Sequence, residues 1–186
     1  MAEQSDTQGV DASASADRVS WGRRLAAGIA DGILSTILMM GFMMAYSSVT
    51  GAGVTMPLKT LGALVYGVEA LVAGSTAMLA GAGIQLGLSM VLGILFALFT
   101  SRRTSILAAL FAGIVVGIVI WVAMELVVLP YMNPTMAARI ALMPLAYFIA
   151  HLLYGIGLGL TPIFVRAFSR KRQDHHPERA VEALPI

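Results

Sequence analysis

Cysteine is absent from the 186 residues. That excludes disulfides, thiolate metal ligands and thiol catalysis. Charge is scarce too: 12% of residues are charged and 58% are hydrophobic, against about 25% charged in a typical soluble domain. Between residues 25 and 165 the only charged residues are Asp31, Lys59, Glu69, Arg102, Arg103, Glu125 and Arg139. Phosphate-binding loops, HExxH helices and nucleophile elbows do not occur. Polar residues in the apolar stretches are too few for an active site, so no enzyme is expected. Bis-histidine haem needs two facing histidines, but two of the three here, His175 and His176, fall in the polar C-terminal tail.

What is present is length of apolar chain. A lipid-crossing helix needs about 20 mainly apolar residues. Four stretches qualify, at about 25–47, 78–100, 105–129 and 140–164. The expected fold is an all-α integral membrane protein, its four transmembrane helices arranged as two antiparallel hairpins. Residues 1–20 read as a disordered polar tail, and 169–186 as a second tail. The membrane domain is then 21–168.

Residues 58–72 place apolar side chains at 58, 61, 64, 65, 68, 71 and 72, with Lys59, Thr60 and Glu69 elsewhere. This suits a short amphipathic helix in the first outer loop. Counting 61–80 as a fifth span would leave almost no loop before the next one and would bury Glu69. Under four spans, ten Lys and Arg residues fall on one side and Lys59 and Arg139 on the other. By the positive-inside rule both termini are cytoplasmic. The basic residues flank apolar spans, so the expected partner is the lipid bilayer and not nucleic acid.

Small residues recur at helical spacing. Gly28 and Gly32 head a stripe continuing through Ser35, Met39, Phe42 and Tyr46. Gln85, Ser89, Gly93 and Ala97 form an i, i+4 row, Gly113 and Gly117 a pair, and Gly155 and Gly159 another. Such faces let helix backbones approach closely, either within the chain, between copies in a homo-oligomer, or with a membrane-complex partner. The halves also resemble each other. AAGIADGI (26–33) aligns with FAGIVVGI (111–118) at an offset of 85, and Gln85-x3-Ser89-x3-Gly93 with His151-x3-Gly155-x3-Gly159 at an offset of 66. The second hairpin would then be a parallel repeat of the first.

His151 stands in the middle of the last span, on one face with Tyr147, Tyr154 and Gly155. Ionisable residues within a span are candidates for function. By depth, Asp31, His151 and Glu125 form an inner, middle and outer series that a proton path could use. Against this, Asp31 and Glu125 lie near enough to the interfaces to reach water, and His151 could simply hydrogen-bond to Gln85, Ser89 or a backbone carbonyl. Methionines, Met39, Met40, Met43 and Met44 among them, gather toward the outer half. Thioethers bind Cu(I), but methionine also fills gaps between helices. Without Cys or His at that depth, no metal and no cofactor is expected.

Pro130-x-x-Asn133-Pro134 followed by His151-x-x-Tyr154-Gly155-x-x-x-Gly159 resembles a group of small bacterial inner-membrane proteins with four spans and a late His-x-x-Tyr-Gly helix. The resemblance covers mainly the second half. It implies the four-span architecture and a bacterial inner-membrane setting, with no activity to carry over. Gln85 stands where a second histidine would make a pair. Two readings follow: a non-catalytic membrane subunit or packing module, and a small transporter or proton-conducting protein using Asp31, His151 and Glu125. A transporter needs a cavity that reaches His151.

Overall fold

The computed structural model describes residues 3–100 and 104–170. Arg102, Arg103 and the tail beyond Arg170, with His175 and His176, lie outside the described residues. Among the described residues the chain is helical without strands: α1 (Glu3–Val49), α2 (Met56–Tyr66) with a 3₁₀ turn (Gly67–Leu71), α3 (Ser75–Phe99), α4 (Ile106–Ala123), a π turn (Met124–Val128), α5 (Leu129–Met132), α6 (Pro134–Leu142), α7 (Pro144–Leu158) and α8 (Thr161–Arg170). Four segments are long and apolar enough to cross a membrane: Trp21–Val49, Ser75–Phe99, Ile106–Met132 and Pro144–Phe168. The chain is therefore read as a four-span membrane protein.

The element ends differ from the sequence expectation for local reasons. Residues 3–20, expected as a tail, form the N-terminal part of α1. No proline occurs there to stop a helix that continues into Trp21. The third span passes through Pro130 and does not stop at 129. Proline lacks an N–H and its ring meets the carbonyl four residues back. The wide π turn at Met124–Val128 changes that spacing just ahead of Pro130. The fourth span starts at Pro144, since residues up to Leu142 form the separate α6 and Met143 (φ −145°) breaks the helix. At the far end the Gly159–Leu160 turn divides α7 from α8.

The region 61–80 is not one span. Gly67 takes φ +63°, and the 3₁₀ turn and residues 72–74 separate α2 from α3. The face α2 buries is centred on Pro57 and Thr60–Ala63. Val65, Val68 and Val72, on the apolar face of the expected amphipathic helix, are exposed, as is Glu69. Backbone proximity explains the choice of face: a Cβ on Gly62 would strike the Ala77 carbonyl, and one on Gly81 the Leu58 carbonyl.

Glycine spacing sets the main helix contacts. α1 packs on α3, where Gly28 lies against Gly93 and Ile94, and Gly32 against Ser89 and Met90. α4 packs on α7, where Gly113 lies against Gly155 and Gly159, and Gly117 against the His151 carbonyl and Gly155. At each of these glycines an added Cβ would overlap backbone atoms. α1 also packs along α7 and α8. The buried core between them holds Met39, Met40, Met43, Leu129, Tyr147, Tyr154 and Leu158. Methionine here serves as packing.

Each end of the bundle has its own ties. At the end holding the first and third loops, Asn133 is buried. Its Oδ1 accepts from the Met136 N–H at 3.0 Å and caps α6, while its Nδ2 donates to the Thr60 carbonyl at 3.1 Å. At the other end Arg24 donates to the Leu98 carbonyl at 3.1 Å and Arg166 to the Thr104 carbonyl at 3.0 Å.

Candidate functional site

Several of the polar side chains inside this bundle lie along one column. At its lower end is Asp31, which is 0% exposed. The nearness to water expected from its depth is therefore wrong for this residue: α8 folds back along α1 and covers it. Its partner is Thr161, whose Oγ1 lies 2.5 Å from Asp31 Oδ2 and 2.7 Å from the Leu158 carbonyl oxygen. Asp31 Oδ1 has no hydrogen-bond partner. One turn up the same face of α1, Ser35 is also fully buried and its hydroxyl is unpartnered. Ser35 presses on Gly157 of α7, where an added Cβ would lie 2.5 Å from Ser35 Oγ.

Tyr154 and Ser89 come next. The Tyr154 hydroxyl is directed at Ser89 but makes no hydrogen bond of normal geometry. Ser89 in turn accepts from Gln85 Nε2 at 3.3 Å, and the same nitrogen lies 3.7 Å from Met39 Sδ. His151 completes the column. Its Nδ1 is 2.8 Å from the Tyr147 carbonyl one turn back. A carbonyl oxygen only accepts, so Nδ1 carries a hydrogen and the neutral ring has Nε2 as its acceptor. The intrahelical bond thus fixes the ring through Nδ1 and does not use Nε2. Tyr147, His151, Tyr154 and Gly155 are all buried, as their shared face predicts.

A cavity of about 40 Å³ is lined by Met39, Gln85, Leu88, Ser89, Leu92, Ile120, Met124, His151 and Tyr154. A water needs roughly 10–15 Å³ on this measure, with polar partners, so this space can hold water. A second, larger groove of about 360 Å³ opens between α1, α2 and α3, lined by Thr36, Met40, Leu58, Gln85 and Leu86 among others. Gln85 borders both spaces.

The sequence candidates thus divide. Asp31, Gln85, His151, Tyr147 and Tyr154 belong to the column or its support. Glu125 is half-buried and does not line the cavity, although its neighbour Met124 does. It lies in the π turn, which alters the rotation per residue that a regular helix would have. The six packing glycines, Gly28, Gly32, Gly113, Gly117, Gly155 and Gly159, all sit in contacts within the chain. Sequence reasoning missed Thr161. Its signal was the dipeptide Thr161-Pro162, since Pro162 cannot donate to the carbonyl four residues back, Leu158, and a neighbouring hydroxyl can. Among the described residues no group of three His, Asp or Glu comes together.

A family model matches residues 22–174. The chain belongs to the DUF6789 family, a family of unknown function. The match takes in all four spans and every residue of the column. No curated protein and no solved structure gives a significant match.

Proposed function

We propose that this DUF6789 protein is a small, non-catalytic proton-handling transport protein, with both termini cytoplasmic and the cavity at His151 as its working site. One observation carries the reading. The cavity reaches His151 and joins it to Gln85, Ser89 and Tyr154, where a bundle made only for packing would be filled with apolar side chains. Buried polar groups in hydrocarbon are expensive, and those that persist mark ion or proton paths. The path we infer uses Asp31, Tyr154, Ser89, Gln85 and His151. Glu125, off the cavity, is not part of it.

The two-hairpin duplication fits this reading. Gly28 meets Gly93 as Gly113 meets Gly159, and Gly32 meets Ser89 as Gly117 meets Gly155, which is the pairing the internal alignment demands. The cavity lining follows the same offsets, in the pairs Met39 and Met124, Gln85 and His151, and Leu88 and Tyr154. The cavity then lies at the interface of two parallel repeats, where transporters place their sites. The setting proposed is the bacterial inner membrane.

The second reading, a membrane subunit or packing module, has its support elsewhere. α4 exposes Leu107, Phe111, Val115, Val119 and Val122, a stripe for lipid or a partner helix. The glycine faces that would have made a homo-oligomer are used inside the chain. Proton flux in proteoliposomes separates the readings. Flux that His151→Ala abolishes supports transport, whereas no flux from folded wild-type protein removes it and leaves the subunit reading.

A further inference from the structure

The oxygens around Asp31 limit where hydrogens can sit. Pro162 has no N–H, so the Leu158 carbonyl lacks the donor that a continuous helix would give it. Thr161 supplies one: its hydroxyl lies 2.7 Å from that oxygen. A threonine hydroxyl has a single hydrogen. Once it is given to Leu158, none remains for the 2.5 Å contact between Thr161 Oγ1 and Asp31 Oδ2. Two oxygens at that distance without a shared hydrogen would repel. A hydrogen carried by Asp31 Oδ2 satisfies both contacts at once.

We propose that Asp31 is a proton-binding site of this protein, loaded in this structure, with the carboxylic acid donating to Thr161 Oγ1 and Thr161 donating to the Leu158 carbonyl freed by Pro162. The surroundings agree. Asp31 is fully buried and forms no ion pair among the described residues. Arg24, two turns away on α1, bonds to Leu98, and Arg166 on α8 bonds to Thr104. Tyr154 on α7 is the other titratable group near it. An ionised carboxylate here would have no countercharge, and a charge buried in hydrocarbon without one is expensive. Asp31 Oδ1 and the Ser35 hydroxyl are both unpartnered and fully buried, one turn apart on one face of α1, and Ser35 lies against Gly157 of α7. They are the groups through which the proton would arrive or leave.

Placing a stored proton at Asp31 rests on hydrogen counting and deepens the transport reading without depending on flux. The test is infrared spectroscopy of the full chain in an ester-free detergent at neutral pH. A carboxylic-acid C=O band is expected. It should shift when the protein carries carbon-13 aspartate, persist in Glu125→Gln, vanish in Asp31→Asn, and move to higher frequency in Thr161→Val, which loses the acceptor. The isotope shift in unmutated protein keeps the test decisive if Asp31→Asn does not fold. Absence of an aspartic-acid band, or a band that survives Asp31→Asn in folded protein, overturns the proposal. A band present without proton flux leaves the site standing and removes transport alone.

Discussion

Gln85 of α3 and His151 of α7 line one cavity, although they lie in different halves of the chain. Gln85 also borders the groove that opens between α1, α2 and α3. Its side chain thus stands between the two spaces.

If the cavity moves protons, its residues should differ sharply in effect. His151→Ala is expected to lower proton flux in proteoliposomes by roughly 100-fold or more, the low end of what a positioned proton-transfer group contributes. Glu125→Gln should leave flux unchanged. Equal losses from both substitutions would place Glu125 back on the path and count against the cavity as the route.

Thr161 gives a stability test. Thr161→Val leaves the Leu158 carbonyl and Asp31 without their shared hydroxyl, and a buried polar group left unpaired costs about 1–3 kcal/mol. Thr161→Ser keeps the hydroxyl and should recover most of this. Both are read by thermal unfolding in detergent. A valine variant as stable as wild type would mean the hydroxyl bridge contributes nothing.

The glycine contacts predict a contrast among chemically identical substitutions. Gly32→Ala and Gly155→Ala place a Cβ into facing backbone, and overpacking of this kind costs typically about 1–3 kcal/mol. Gly83→Ala meets nothing within 4 Å and should be neutral. If all three unfold alike, the seams are not where the helices meet.

The lack of cysteine makes the chain a clean background for accessibility. Ser89→Cys, facing the cavity, should react with a small charged thiol reagent, while Val119→Cys, exposed on α4, should be shielded by lipid. Across the membrane, Val54→Cys should label from the outer side and Gly22→Cys only after permeabilisation. The reverse labelling would invert the topology.

Much of this arrangement was legible in the sequence. The spans follow from the want of charge, and the seams from glycines at 3.6-residue spacing, because both are properties of single helices. The burial of Asp31, which the sequence left open against access to water, depends on α8, a partner more than a hundred positions away, and on the turn at Gly159–Leu160. Glu125 was placed by depth along an ideal helix, but the π turn around it breaks the regular rotation on which facing is extrapolated. Thr161 escaped notice because a hydroxyl beside a proline carries no charge and no periodicity. It becomes informative only once Leu158 is seen to need a donor.

Asn133 uses both ends of its amide, one to cap α6 and one to hold Thr60. The early and late parts of the chain are therefore tied at that end through a neutral group that serves both. Turning the amide away would uncap a helix and strip a carbonyl in the same motion. A rotation of this one side chain therefore acts on both partners together, so the fold of the third loop and the seating of α2 share one hinge point.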